Sequence, residues 1–598
     1  MRVADYIFKF IADRGVTDVF LVTGGGAMFL NDAVGREKRL RYICNLHEQA
    51  CSMAAEGYAR VSGKPGVICV TTGPGGTNAL TGVAGAWLDS IPMIIISGQI
   101  KRQTCIASFP ELSLRQLGDQ ELNIVDVVRP ITKYAKLVTS AESIGFELEK
   151  AWHLATSGRP GPVWLDIPLD IQSAELPEKL QEHFTAQQDI SIDPTAMNDA
   201  IEKIKNAKRA AIICGIGVRH ANAIDKLKLF AEKHDIPVLT SISGIDLIES
   251  EHPLFAGRPG ILGDRAANFI MQNCDMLLTI GTRMGIRIIG YDWKNVAREA
   301  CKIMVDIDGN ELKKPTFKPD IAIQSDAGAF LDEMLCALGD DVKSSADWLE
   351  YCRNLRKKYP ATTEKHRNIK EFVSSYVLPG IISRHCADDA VIVTGNGTAY
   401  TSTFQAIAVK KGMRVFANQA CASMGYGLPA AIGAAIADSK RQVICLTGDG
   451  SIQMNIQELQ TIRNYQLPVK IFVYNNAGYL SIKNTQKAFF NGNFVGSESN
   501  SGVILPDLEK IAAAYGIDFF RIKNNTEAEN TVPEILSSKE SAIIEVMCDP
   551  FEELGPKAAS KRLPDGTMVS APLEDLAPFL PREEFRNNMI IPPVNEEF

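Results

Sequence analysis

Gly448-Asp449-Gly450-Ser451 and Asn475-Asn476 hold the residue types best suited to chemistry in this chain. Asp449 follows the apolar run 443–446, and Asn476 closes the run 469–473. Two parallel strands ending side by side would bring the carboxylate and the carboxamide together at their carboxyl ends, where open α/β sheets bind ligands. One charged and one neutral oxygen donor suit a Mg²⁺ that keeps waters and grips a diphosphate. Gly450 permits close backbone approach, and Ser451 opens a helix whose N-terminus favours an anion. Alone, such a run is also an ordinary tight turn. The second strand end is what gives it chemical meaning.

Another carboxylate, Glu48, lies in His47-Glu48-Gln49-Ala50, ahead of the small-residue stretch 53–60. A Glu there would by itself stabilise a helix start. Gly73-Pro74-Gly75-Gly76-Thr77-Asn78 then follows at a strand end, and Asp89-Ser90-Ile91-Pro92 leads into the next strand.

The elements that must position these groups are short β-branched runs separated by amphipathic stretches. They recur at 19–22, 67–70, 93–96 and 163–167, then at 211–214, 238–239, 276–280 and 303–307, then at 391–393, 443–446, 471–474 and 543–546. Such runs, bounded by Gly and Asp, predict buried parallel strands and βαβ units. Linkers are expected at 170–195 and at 340–370, the latter charged and helix-prone with Pro360 inside it. The fold class is α/β: three doubly wound parallel-sheet domains at 1–172, 190–340 and 365–550, plus a Pro-rich tail, 551–598, with too little apolar periodicity for a domain.

At 598 residues the chain has room for three or four domains. A net charge of −8 argues against a nucleic-acid surface. No apolar stretch is long enough for a membrane span, and residues 1–20 mix charged and apolar groups unlike a signal peptide. The 13 cysteines are scattered without a CxxC pair, which fits reduced thiols in a cytoplasmic protein.

The GDGS…NN pairing resembles the cofactor motif of thiamine-diphosphate (ThDP) enzymes. That resemblance implies that Asp449, Asn476 and the Gly478 carbonyl bind Mg²⁺, with Gly450 and Ser451 at the diphosphate. The order from His47 to Pro92 is similar to the pyrimidine-binding domain of those enzymes, with Pro74 and Asn78 at the cofactor and Glu48 as the catalytic carboxylate. ThDP reacts through a carbanion at C2, with its own imino group as base. A carboxylate on the ring nitrogen N1′ favours that imino tautomer, and in a dry site such a bond is strong.

Over about residues 1–550 the chain resembles the acetohydroxyacid (acetolactate) synthase type. On that resemblance Gly25, Gln120 and Lys133 flank the reaction centre. Met424 would wedge ThDP into its bent form, and Gly397-Thr398-Ala399 would help hold the diphosphate. The middle unit resembles the flavin domain of that family. There Gly215, Gly217, Ser241, Ile242, Arg159, Arg283, Asp306, Ile307, Asp326 and Ala327 would contact FAD in a structural role.

The chain departs from that family's pattern at Asp119, at Arg258-Pro259 and at Gly285-Ile286, and it lacks the Trp that follows NN. Asp119, Lys483 and Gln486 are expected to line a wider, polar acceptor pocket. The family implies decarboxylation of pyruvate and transfer of a two-carbon unit to a carbonyl acceptor. That acceptor is a 2-keto acid or a nucleotide-linked keto-sugar. The tail, through Lys561 and Arg562, could close over the mouth. Pyruvate decarboxylases carry adjacent histidines in the first domain, and this chain has no such pair. A homodimer or homotetramer with the site between subunits is implied. A non-catalytic ThDP-fold scaffold protein is the alternative.

Overall fold

The computed structural model describes residues 1–177, 183–186 and 191–594. Each set of apolar runs becomes one six-stranded sheet in which every pairing is parallel. The first sheet contains β1 (Asp18–Leu21), β2 (Arg41–Cys44), β3 (Gly66–Val70), β4 (Met93–Gln99), β5 (Tyr134–Leu137) and β6 (Pro162–Pro168). The second contains β7 (Ala210–Cys214), β8 (Val238–Thr240), β9 (Phe255–Gly257), β10 (Met276–Ile280), β11 (Cys301–Asp306) and β12 (Ile321–Gln324). The third contains β13 (Val391–Thr394), β14 (Arg414–Phe416), β15 (Val443–Gly448), β16 (Val469–Asn475), β17 (Asp518–Ile522) and β18 (Ala542–Met547).

The strand orders are β2-β1-β3-β4-β6-β5 and β14-β13-β15-β16-β18-β17 in the outer sheets. These are one topology used twice. The middle sheet runs β12-β11-β10-β7-β8-β9, the dinucleotide-binding order. Order reverses between β1 and β3, between β7 and β10, and between β13 and β15. Crevices for ligands open outside the strand ends at those points.

The first and third units pack through two helices, Glu48–Ser62 and Gly427–Ala437. Small residues let the backbones nearly touch. A Cβ at Gly57 would lie 2.2 Å from the Ala430 carbonyl oxygen, and one at Gly433 would lie 1.8 Å from that of Ala54. A buried ion cluster sets their register. Arg60 donates to Glu56 at 2.7 Å and to Asp89 at 2.8 Å, and Asp89 also accepts from the backbone N–H groups of Gln419 and Ala420. Burial pushes the Glu56 carboxyl up to about 7 against the pull of Arg60.

Stretch 340–370 is more than a linker. Its helix, Ala346–Lys358, buries Trp348, Cys352 and Leu355 in the middle unit, and the Trp348 indole donates to the Ala210 carbonyl. Of the linker expected at 170–195, residues 178–182 and 187–190 lie outside the described residues.

The tail is also anchored on the middle unit. Leu573 and Phe585 join its core. Asn268, Gln272 and Asn273 of the Arg265–Asn273 helix donate to Leu573 O, the Glu574 carboxylate and Asn588 O. A few anchors on buried amides leave no apolar period to read in the sequence. Lys561 and Arg562 stay exposed on a small hairpin, Ser560–Arg562 with Met568–Ser570.

Candidate active site

Register places the two metal-type residues together. Gly448 pairs with Tyr474 across β15 and β16, so Asp449 and Asn476 leave adjacent strand ends. Both are buried. Asp449 Oδ1 accepts from Gly450 N at 2.8 Å, and Oδ2 accepts from Gly478 N at 3.0 Å. Those bonds aim the carboxylate, while burial pushes its pKa up to about 6. A desolvated carboxylate at such a value gains from a cation beside it. Asn476 donates to the Thr398 hydroxyl at 3.1 Å, and its own side-chain oxygen is buried without a partner among the described residues. That orphaned acceptor fits a hard cation.

Around this pair the backbone leaves room. Gly397 adopts φ +90°, and a Cβ there would meet nothing within 4 Å. Gly450 is covered by Tyr479, whose ring carbon would lie 2.3 Å from an added Cβ. Ala399 points into the apolar core, so only its backbone can face a ligand. The Ser451 hydroxyl accepts from Gly425 N at 3.0 Å, which ties it to the turn carrying Met424. Met424 itself is 37% exposed, between the half-buried stretch 419–423 and the buried stretch 425–430.

In the first unit Glu48 begins its helix, capped by the His47 ring, which accepts from Gln49 N at 3.1 Å. Glu48 is buried, and Asn78 donates to its Oε2 at 2.9 Å. The helix that Pro74 opens brings both groups to one place. Oε1 lies 3.7 Å from a Cβ position on Gly75 and receives no hydrogen bond from a described residue. Gly25 sits at the neighbouring strand end, with open space where a side chain would be. Gln120 is exposed at φ +58°, and its carbonyl would lie 2.5 Å from a Cβ on Gly73.

Three polar residues depart from the sequence-based expectation. The Lys133 ammonium turns away to donate to the carbonyls of Ser157 at 2.9 Å and Arg159 at 2.7 Å, and burial lowers its pKa to about 8. Lys483 is buried and donates to the Asn476 carbonyl at 2.9 Å. Gln486 donates to Val495 O and accepts from Ser497. Lys483 and Gln486 therefore brace the loop after Asn476. Asp119 is exposed. Long polar side chains satisfy nearby carbonyls before they reach a cleft, and one-dimensional spacing does not reveal those carbonyls.

A separate cavity of about 330 Å³ lies where the three units meet. The middle unit lines it with Gly217, Ser241, Ile242, Arg283, Asp306, Ile307, Asp326 and Ala327. Asp89, Ser90 and Arg159 come from the first unit, and Gln419 and Ala420 from the third. Gly215 is a correction: it packs against Gly281, whose oxygen would lie 2.4 Å from a Cβ, and does not line the cavity. Arg159 is already paired with Asp308 and Glu311. Asp326 Oδ1 caps the Ala327–Ala337 helix, and Asp306 Oδ1 accepts from Asp308 N. Each keeps a second oxygen for a ligand. Burial raises the Asp306 carboxyl to about 6. His220, which the sequence reading passed over, also lines the cavity; its Nε2 is buried without a partner, and burial lowers its pKa to about 4.

Similarity to known proteins follows the same division. Residues 1–121 match the N-terminal TPP binding domain of thiamine pyrophosphate enzymes, residues 197–334 the central domain, and residues 395–546 the C-terminal TPP binding domain. The chain is 33% identical to the acetolactate synthase isozyme 1 large subunit of Escherichia coli (strain K12), over 92% of this chain and 95% of that one. It is 30% identical to the acetolactate synthase large subunit of Lactococcus lactis subsp. lactis (strain IL1403), over 92% and 93%. It is 33% identical to the probable acetolactate synthase large subunit of Methanocaldococcus jannaschii, over 93% of each. The repeated outer topology, the buried strand-end pair and near full-length similarity agree: the chain belongs to the thiamine pyrophosphate enzymes, in the acetolactate synthase large-subunit group.

Proposed function

We propose that this enzyme decarboxylates pyruvate and joins the resulting two-carbon unit to a second 2-keto acid, as an acetolactate synthase-type carboligase. The orphaned Asn476 oxygen beside the buried Asp449 carboxylate carries the reading, because it fits a Mg²⁺ that grips a diphosphate. Asp449 and Asn476 would hold the ion. Gly397, Thr398 and Gly450 would border the diphosphate, and Met424 would support the thiazolium. When bound, ThDP supplies the nucleophilic carbon and the electron sink.

The chain's own groups do the rest. Asn78 fixes Oε2 of Glu48, leaving Oε1 to hold a proton at the ring nitrogen. Burial excludes water from that bond and strengthens it. Gly25 and Gln120 stand at the mouth, where a small keto acid would be oriented. A keto-sugar acceptor has less support, since the Lys483 and Gln486 side chains are engaged with the carbonyls of Asn476 and Val495.

We read the three-unit cavity as an FAD site with a structural role. The dinucleotide strand order, the second oxygens of Asp306 and Asp326, and the unpartnered His220 nitrogen support it. A second copy of the chain would complete the catalytic site. Exposed Tyr42, Leu46, Met424 and Met454 supply apolar area for it. All 13 cysteines are unpaired, in keeping with a reducing compartment such as the cytoplasm. Among the described residues, no helix is long and apolar enough to cross a membrane.

The test is to incubate purified enzyme with pyruvate, Mg²⁺ and ThDP and to identify products by mass spectrometry. Acetolactate with release of CO₂ is expected. Carbon dioxide with acetaldehyde alone would refute ligation.

A further inference from the structure

One arginine belongs to two places at once. Arg287 lines the three-unit cavity, and its backbone is fixed there because its carbonyl accepts from Ile261 N at 2.9 Å. Its guanidinium is half-buried. Nη1 donates to the Tyr400 hydroxyl at 3.0 Å, and the guanidinium carbon stands 5.3 Å from the centre of the Tyr400 ring. Its other N–H groups have no acceptor among the described residues. A partly desolvated cation in that state favours an anionic group beside it.

Tyr400 is 4% exposed and lies outside the cavity wall, in the helix Thr398–Ala406. It shares the first turn with Thr398, whose hydroxyl orients the Asn476 carboxamide. The far end of that helix is anchored elsewhere. Gln405 donates to Leu262 O at 3.0 Å and to Pro556 O at 2.9 Å, and Ile407 O accepts from Arg258 at 3.1 Å. Of these anchors Arg287 alone borders the cavity. The contacts from Arg287 through Tyr400 and Thr398 to Asn476 stay within one chain, from the middle unit to the third. They hold however two subunits meet.

We propose that the three-unit cavity and the Mg²⁺–diphosphate site are coupled through the Arg287–Tyr400 hydrogen bond, so that FAD and Mg²⁺–ThDP each tighten the other's binding. This rests on the flavin and ThDP readings of the two sites. The physical reason is ordering. A long Arg side chain gives up rotamer freedom to hold one hydroxyl. A diphosphate accepting from its other N–H groups fixes the planar fork, and the Tyr400 bond then needs little further ordering. Tyr400 in turn steadies the turn that sets Thr398 against Asn476. Whichever ligand binds first orders part of what the second requires, and the gain is equal in both directions.

The test uses flavin-depleted wild type, Tyr400→Phe and Arg287→Lys. FAD affinity is read from flavin fluorescence with and without saturating Mg²⁺–ThDP, and ThDP affinity from calorimetry with and without FAD. In wild type each ligand should tighten the other by the same factor, about 5- to 100-fold. Tyr400→Phe keeps the ring and removes the hydroxyl. It should bind each ligand alone as wild type does and lose most of the mutual gain. Arg287→Lys keeps a cation without the planar fork, so it remains informative if Tyr400→Phe folds poorly; its FAD affinity should fall and the mutual gain should again be lost. A merely structural bond would lower both affinities and leave the gain intact. That result in both variants, or wild-type affinities independent of the other ligand, would overturn the coupling alone. A wild type that binds Mg²⁺–ThDP but no FAD would overturn the flavin reading and the coupling with it, and one that binds no ThDP would overturn the ThDP reading.

Discussion

The side-chain nitrogen of Asn476 donates to the Thr398 hydroxyl at 3.1 Å, and that bond decides which end of the carboxamide remains an acceptor. The freed oxygen is buried and unpartnered. Leaving such an acceptor unpaired costs about 1–3 kcal/mol, and a bound cation would offset that cost. Removing the hydroxyl should therefore loosen the metal site while Asp449 and Asn476 stay in place. Thr398→Val should weaken Mg²⁺-dependent ThDP binding by about 10- to 100-fold. Calorimetry at fixed Mg²⁺ measures this, and wild-type affinity would count against the arrangement.

Glu48→Gln keeps the shape of the helix start and removes the charge. Turnover should fall by about 100- to 10,000-fold while ThDP binding persists. Stopped-flow consumption of pyruvate alongside calorimetry separates the two. Retained turnover would remove Glu48 from the mechanism.

Proton competition at Asp449 makes a signed prediction. Its folded pKa, about 6, is above the ordinary 3.8. In the metal-free protein the contribution of this group to stability is complete below about pH 4 and is lost as pH rises through 6. Mg²⁺ binds only the carboxylate, so the rise in Tm on adding Mg²⁺ and ThDP should grow between pH 5 and about 7. A shift independent of pH, or one larger at pH 5, would contradict it.

Gly433 faces the Ala54 carbonyl with no room for a Cβ. Gly433→Ala must part the two helices that join the outer units. A loss of about 1–3 kcal/mol or more is expected in urea unfolding. An unperturbed midpoint would show that the interface yields more easily than its packing implies.

The three-unit cavity predicts a yellow protein that releases flavin on denaturation. Arg283 lines it. Arg283→Ala removes a charged donor worth about 1.5–3 kcal/mol, so flavin content after dialysis should drop. Colourless, fully active wild-type enzyme would refute the flavin reading.

Much of this was legible in the sequence. Apolar runs bounded by Gly and Asp specify buried parallel strands, because a strand covered on both faces must be apolar throughout. The two motifs at strand ends specify where ligands gather, because strand ends at a reversal of order leave a crevice. Asp449 and Asn476 were named on that ground, Glu48 and Asn78 on the resemblance to ThDP enzymes, and the fold brings each pair together.

Tertiary structure alone decided what long polar side chains do. Lys133 was expected at the reaction centre, and Lys483 and Gln486 along an acceptor pocket, yet each satisfies backbone carbonyls that no linear spacing reveals. The tail and the helix 346–358 looked peripheral, yet both close the middle core through a few anchors without periodicity. The meeting of the first and third units is set by helix packing at Gly57 and Gly433, between residues far apart in the chain. Local patterns determined the elements and the chemistry they carry; contacts between distant segments determined which side chains remain free to perform it.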